Sequence, residues 1–320
     1  MSDKPPLLVI LGPTASGKTH LATRVAHEIG GEIISADSRQ VYRQMDIGTG
    51  KDLEEYDVNG TTIPYHLINI RDAGEKYNVN NFQHDFRDSY QKIVAAKHIP
   101  VVCGGTGFYI YALLKGHAND TVPVNEALRA ELESLSNEEL SARFRAFQSR
   151  YHGLADISTR KRLIRALEIA TFLNEHPGAA IDFGSESTAQ PAIIFGLNPP
   201  VGTRRERISK RLADRLNQGL IEEVQNLLNQ GITADSLIYY GLEYKYVTLY
   251  LTGELGYEEM HVKLETEIHR FAKRQMTFFR KMEKDGLKIN WIPDEWPERE
   301  KIRFIIQHYR EFKSGDAGTM

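Results

Sequence analysis

The sequence predicts an α/β fold: a parallel-sheet core, interrupted by a helical insertion and completed by a helical C-terminal region. Three observations predict it. Short apolar runs alternate with helical stretches in the first third of the chain, the pattern of parallel strands joined by right-handed crossovers. The strand signal then disappears from about 119 to 189. It returns once, after which the chain reads as mostly helical to the end.

The elements follow in order. Residues 7–12 are a buried strand running into a glycine loop, and Lys18–Ile29 is a helix. Residues 32–36 are a second strand followed by a loop, and 99–103 a third that stops at Gly104-Gly105. Amphipathic helices are expected over 125–148 and 159–174, with Leu163, Leu167 and Ala170 on one stripe. Pro177, Gly178 and Gly184 mark a loop over 175–190. Ala192–Leu197 is a fourth strand, and the terminal KSGDAGTM reads as disordered. The expected division is a core of 1–118 and 190–320 around an insertion of 119–189. Functional loops of a parallel sheet lie at the carboxyl ends of its strands. Three such ends carry unusual residues: 12–19, 37–40 and 104–106.

Composition sets limits. The chain has 320 residues, 41% hydrophobic and 26% charged, ordinary for a globular protein and enough for a large core plus a second unit. It has no apolar run long enough to span a membrane. The opening MSDKPPLLVILG has too short an apolar stretch and no small-residue cleavage site for a signal peptide, so a first strand is expected there. The single cysteine, Cys103, excludes an internal disulfide and a Cys-based zinc site. A cytoplasmic enzyme is the expectation. The net charge of -3 is not the global signature of a nucleic-acid binder, yet local basic patches can still hold phosphates. Arg160, Lys161, Arg162 and Arg165 fall together, as do Arg204, Arg205, Arg207, Lys210 and Arg211, and later Arg270, Lys273, Arg274, Arg280 and Lys281. Each cluster reads equally well as a solvated helix face.

The chemistry starts at Gly12-Pro13-Thr14-Ala15-Ser16-Gly17-Lys18-Thr19, which fits the P-loop pattern G-x-x-x-x-G-K-[ST] between a predicted strand and a predicted helix. The core is therefore P-loop NTPase-like. Glycines let backbone N–H groups turn toward phosphate oxygens, and the helix N-terminus adds positive potential. Lys18 supplies a cation and Thr19 can ligate Mg²⁺. The motif reports a di- or triphosphate, without saying whether the phosphate is transferred, hydrolysed or expelled. A kinase needs an acidic Mg²⁺ ligand at another strand end. The third strand offers Gly-Gly-Thr there, and the acid so placed is Asp37, which reads as a metal ligand, a general base or a helix N-cap before 38–42. Thr106 could merely close a glycine turn. Cys103 reads as a small core residue. Tyr109 and Tyr111 read as core, substrate wall or base-stacking residues, and His66 as structural. Phe271, Met276, Phe278 and Phe279 read as helix packing.

GPTASGKT at 12–19, ISADSRQVYRQMDIGT at 34–49, HLINI at 66–70, VVCGGTGFYIYALL at 101–114, KRLIRALE at 161–168 and FAKRQMTFFR at 271–280 stand in a recognisable order. Together they closely resemble the bacterial-type tRNA dimethylallyltransferase (tRNA isopentenyltransferase) family over nearly the whole chain. The resemblance implies transfer of a five-carbon group from dimethylallyl diphosphate to N6 of the adenosine 3′ to the anticodon. The P-loop residues 12–19 would then hold the donor's diphosphate with Mg²⁺ on Thr19. Asp37 would be the general base, and Thr106 would lie near the transferred group and the adenine. tRNA contacts are implied at Asp37, Ser38, Arg39, Gln40 and Thr106, and on the insertion at Arg129, Lys161, Arg162, Leu163, Ile164 and Arg165. A monomer without membrane attachment is expected. A P-loop small-molecule kinase and a tRNA-binding paralogue without catalysis are the alternatives. The second is motivated by departures from the family pattern. Gly48-Thr49-Gly50-Lys51-Asp52 stands for the common G-T-A-K-P, Tyr240-Gly241-Leu242-Glu243-Tyr244-Lys245 for G-Y-[KR]-[EQ], and Ile268-His269 for a usual T-R.

Overall fold

The computed structural model describes residues 5–115, 122–147, 151–152, 155, 157–177 and 191–315. The chain begins β1 (Leu7–Leu11), α1 (Lys18–Ile29), β2 (Gly31–Ser35), a two-strand hairpin of β3 (Asp57–Val58) and β4 (Thr61–Thr62), β5 (Tyr65–His66), α2 (Val79–Ala95), β6 (Ile99–Gly104) and α3 (Gly107–Lys115). Helices α4 (Glu126–Glu133), α5 (Asn137–Ala146) and α6 (Arg160–Glu175) follow. Then come β7 (Ala192–Leu197), α7 (Val201–Asn217), α8 (Leu220–Asn229), α9 (Ala234–Tyr239), α10 (Leu242–Leu251), α11 (Tyr257–Lys284), β8 (Ile289–Ile292) and α12 (Glu298–Ser314). Six strands form one parallel sheet in the order β5-β2-β6-β1-β7-β8.

Strand β1 is LLVIL and buried at every position, as a parallel strand covered on both faces requires. Its alternation sorts the core. Leu7, Val9 and Leu11 pack with Phe82, Ile110, Met276 and Phe279, whereas Leu8 and Ile10 face Leu21, Val25, Ile305 and Tyr309. Leu11 lies beside Gly104 of β6 and Gly196 of β7, so neighbouring strands end level.

Compact folding divides the chain into Met1–Leu114 with Gln190–Met320, and Lys115–Ala189. The second unit buries Leu132, Leu140, Phe144, Leu163 and Leu167 among its own helices. The stretch read as one helix over 125–148 is two. Ser136 breaks it with a capping box: its side chain accepts from Glu139 N–H at 3.2 Å, and Glu139 accepts from Ser136 N–H at 2.7 Å. The C-terminal region is mostly helical, with Ile289–Ile292 adding β8 to the sheet edge. β5 closes the other edge with two residues, too few for a sequence pattern. Of the tail, Lys313 and Ser314 are helical, and residues 316–320 lie outside the described residues, as does 178–190 of the expected loop.

The second unit is organised by Glu168, 2% exposed. It accepts from Asn125 N–H at 3.1 Å, from Arg129 at 2.9 Å and from Arg165 at 3.2 Å. Removing one partner of a buried charge cluster leaves the others unsatisfied. We therefore expect Glu168→Ala to destabilise this unit by about 3–5 kcal/mol. Hydrogen exchange should show α4 and α6 losing protection while β1 and β6 keep theirs.

Candidate active site

The site forms where β1, β6 and β2, three adjacent strands, end. After β1 the backbone takes left-handed conformations at Ala15 (φ 59°) and Gly17 (φ 78°), which turn successive N–H groups inward before α1 begins. A side chain at Gly12 would lie 2.5 Å from Ser16 Oγ and 3.0 Å from the Leu197 carbonyl, so only glycine fits. Ser16 Oγ is buried without a hydrogen-bond partner among the described residues. The Lys18 ammonium curls back to within 3.5 Å of the Pro13 carbonyl. Burial lowers its pKa, and Asp37 is among the groups that oppose the shift. The Thr19 hydroxyl bonds the Cys103 thiol, whose pKa burial pushes up to about 11. Cys103 is therefore a neutral, buried end to β6.

The loops after β2 and β6 are stitched together. Ala36 N–H donates to the Cys103 carbonyl at 2.8 Å, Thr106 N–H to the Ala36 carbonyl at 3.2 Å, and Ser38 N–H to Thr106 Oγ1 at 3.2 Å. Asp37 is not a helix N-cap, since no helix follows it. Its Oδ1 accepts from Arg39 N–H at 2.8 Å in a local turn, and its other oxygen has no hydrogen bond among the described residues. Asp37 and Thr106 are thus brought to adjacent strand ends beside the P-loop. Gln275, from the middle of α11, joins the two glycine loops. Its carbonyl accepts from Thr14 N–H at 2.9 Å, and its amide donates to the Gly105 carbonyl at 2.8 Å. The FAKRQ segment contains this residue, but nothing in the sequence alone showed that its amide faces the P-loop.

The residues expected to contact tRNA divide. Ser38 contributes its N–H as above, and the Arg39 guanidinium lies 5.1 Å from the Tyr239 ring centroid. Gln40 is turned inward: it accepts from Ser35 Oγ at 2.8 Å and donates to the Gly50 carbonyl at 3.0 Å, so its amide braces the loop. In the second unit Leu163 and Ile164 are 4% and 7% exposed, packed in the helical core because they lie on the apolar stripe of α6. Arg129 and Arg165 are held on Glu168, and Arg160 donates to the carbonyls of Glu133 and Leu135. Lys161 and Arg162 are exposed.

The aromatic readings also divide. Tyr109 is core, stacked on Phe82 at 4.4 Å between centroids, and Met276 and Phe279 are buried. Phe278 lies against Gly107 and Phe108, and Phe271 is exposed rather than packed. His66 pairs with Glu32 at 2.6 Å.

Two departures from the family pattern meet in the fold. Glu223 accepts from the N–H groups of Asp46, Ile47 and Gly48 at 2.8–2.9 Å and from the Tyr244 hydroxyl at 2.6 Å. A side chain at Gly48 would strike the Tyr244 ring, and one at Gly50 the Arg215 guanidinium. Arg215 in turn donates to Glu243 at 3.0 Å. Lys51, 1% exposed, donates to the Tyr42 carbonyl, Asp46 and Asn69.

A model of the IPP transferase family matches residues 40–282, and one of the isopentenyl transferase family matches 5–69. The chain is 52% identical over 306 residues to tRNA dimethylallyltransferase 1 of Porphyromonas gingivalis, covering 95% of this chain and 99% of that one. It is 50% identical to tRNA dimethylallyltransferase 2 of Bacteroides fragilis, covering 96% and 98%. Among solved structures, a full-length tRNA isopentenylpyrophosphate transferase from Bacillus halodurans superposes with a TM-score of 0.70 at 29% identity, over 98% of this chain and 99% of that one. A eukaryotic dimethylallyltransferase acting on tRNA shares the fold, with a TM-score of 0.76 at 22% identity over 98% of this chain and 80% of that one.

The Gln275 clamp can be tested without substrate. Gln275→Ala strands the Thr14 N–H and the Gly105 carbonyl, each costing about 1–3 kcal/mol if unsatisfied. We expect inorganic diphosphate to bind about tenfold more weakly by calorimetry, an estimate corresponding to one such lost bond.

Proposed function

The chain belongs to the tRNA dimethylallyltransferase (IPP transferase) family, and from that premise we propose that it transfers a dimethylallyl group from dimethylallyl diphosphate to N6 of the adenosine 3′-adjacent to the anticodon in tRNA. One C–O bond breaks and diphosphate leaves. One C–N bond forms, and the N6 proton passes to Asp37. The observation that carries this reading is the shared edge of three adjacent strands: a phosphate cradle after β1, Thr106 after β6 and a carboxylate with a free oxygen after β2.

The roles follow from the chemistry. An exocyclic adenine amine is a poor nucleophile and a very weak acid, so proton removal must accompany bond formation. A positioned carboxylate suits that task. The turn that spends Asp37 Oδ1 on Arg39 N–H fixes the carboxylate while leaving its other oxygen for the amine. Lys18 and the P-loop N–H groups of residues 12–19, apart from Pro13, which has none, and Thr14, which donates to Gln275, bind the diphosphate and stabilise the charge that grows as it leaves. Thr106, fixed by Ser38 N–H, holds the space between donor and acceptor. The family match does not favour a kinase reading, and β6 is followed by Gly105 and Thr106 with no acid.

Mg²⁺ is the proposed cofactor, and the residues present fit it. Thr19 offers a hard hydroxyl oxygen at the head of α1, and Ser16 Oγ is buried without a hydrogen-bond partner among the described residues. Such a site suits a cation that keeps its waters and binds mainly through substrate phosphates. Thr19 would hold the ion, which when bound neutralises diphosphate charge. Among the described residues no helix is long and apolar enough to cross a membrane; the cytoplasmic location proposed here follows from tRNA being the proposed acceptor. One chain supplies both cradle and acid, which supports a working monomer.

The decisive assay is incubation with dimethylallyl diphosphate, Mg²⁺ and tRNA, followed by nucleoside mass spectrometry. Asp37→Ala should lower turnover about 10²–10⁴-fold with tRNA binding little changed; near-wild-type turnover would remove Asp37 from the base role. The insertion's part in tRNA binding is tested at Lys161 and Arg162, not at Arg165, which Glu168 holds in place. Replacing both exposed cations with Glu should raise KM for tRNA and flatten its dependence on salt, because fewer counterions are released. An unchanged salt slope would mark them as solvated surface.

A further inference from the structure

Tyr239, the last residue of α9, is 49% exposed, while its neighbour Tyr240 is 2% exposed. Tyr240 has evident structural work. Its hydroxyl accepts from Gly74 N–H at 2.5 Å and donates to the Glu75 carbonyl at 3.1 Å, and its ring meets Tyr42 edge-on at 4.5 Å. Tyr239 has none of this anchoring. Its hydroxyl makes no hydrogen bond among the described residues. Its ring rests on the edge of Tyr240 at 5.8 Å and beneath the Arg39 guanidinium at 5.1 Å. Arg39 is tied to the candidate base, since its N–H is the donor to Asp37 Oδ1. Asp37, Arg39 and Tyr239 all act electrostatically on the Tyr109 hydroxyl, so they share one neighbourhood.

A guanidinium lying over a phenol ring is a flat, partly exposed plate two residues from Asp37. Plates of this kind, built from aromatic rings and arginine planes, are surfaces on which unpaired bases stack. The reaction creates the need for one. An adenine moved out of its stack to reach Asp37 leaves the neighbouring base with a bare face. We infer that the Arg39–Tyr239 pair is a stacking platform for the nucleobase immediately flanking the target adenosine, and so helps determine acceptor specificity. The inference rests on the tRNA-prenylation reading above and extends it to a residue outside every motif quoted for the family.

The test uses anticodon stem-loop RNAs with an intact or an abasic nucleotide on either side of the target adenosine. Wild type, Tyr239→Ala and Tyr239→Phe are compared. Tyr239→Ala is expected to raise KM for the intact RNA about tenfold, the loss of one base–aromatic stack. Its kcat and its KM for dimethylallyl diphosphate should hold, which also reports that the variant is folded. Tyr239→Phe should restore the wild-type KM, because the ring and not the hydroxyl does the stacking. An abasic site at one flanking position should raise the wild-type KM by a similar factor and add nothing to that of Tyr239→Ala. An unchanged KM for Tyr239→Ala, or penalties that add fully at both flanking positions, would overturn the platform. Absence of prenylation by wild type on any of the RNAs would instead overturn the proposed reaction.

Discussion

Close backbone approach at the carboxyl edge of the sheet is the constraint on which the rest depends. Gly12, Gly104 and Gly105 each stand where a side chain would collide: with Ser16 and the Leu197 carbonyl, with the backbone of Ala36, and with Gln275. Because these positions are bare, the ends of β1, β6 and β2 can share hydrogen bonds. A carboxylate, a hydroxyl and a phosphate cradle then fall within one small region. The level register of the parallel strands sets the positions, and the glycines allow the loops to close. α11 adds rigidity by setting one amide between the two glycine loops, at a point where neither loop has a side chain of its own to do so.

The polar side chains divide between those held inside the scaffold and those left at the surface, and composition does not reveal which are which. Four cations crowd the start of α6. Arg160 ties down two carbonyls and Arg165 belongs to the Glu168 cluster, leaving Lys161 and Arg162 at the surface. The same happens beside Asp37, where Gln40 braces Ser35 and Gly50 while Arg39 reaches outward to Tyr239. A basic cluster in a sequence therefore overstates the charge available to an RNA, because part of it is neutralised inside the fold.

The sheet centre was legible because β1, β2, β6 and β7 are apolar runs bounded by glycine or polar loops, and a strand buried on both faces must read that way. The P-loop was legible for a related reason: glycine positions and a lysine at fixed spacing follow from how backbone wraps a phosphate. The edges were not. β5 has two residues and β8 four, too short for an alternation to register. The break between α4 and α5 was written in Ser136 and Glu139 but masked by helix-forming residues on both sides. Within the site, Asp37 and Thr106 could be singled out by their places at strand ends. Gln275 and Tyr239 could not, because their places come from which helix packs over which loop, in pairings between residues far apart in the chain, Arg39 with Tyr239 and Thr14 with Gln275.

The loop at 46–52 has a consequence for how such a protein can change over time. Gly50, in a left-handed conformation, leaves room for the Arg215 guanidinium; Arg215, 8% exposed, depends on Glu243; Gly48 makes way for the Tyr244 ring; and Glu223 gathers the loop's N–H groups. An alanine at 50 would leave Arg215 no place, and a lysine at 243 would leave it no partner. These positions lie in three separate stretches of chain yet amount to one heritable unit. A change at any one of them is therefore felt at the others: the room at 50, the cation at 215 and the acid at 243 must be kept, or given up, together.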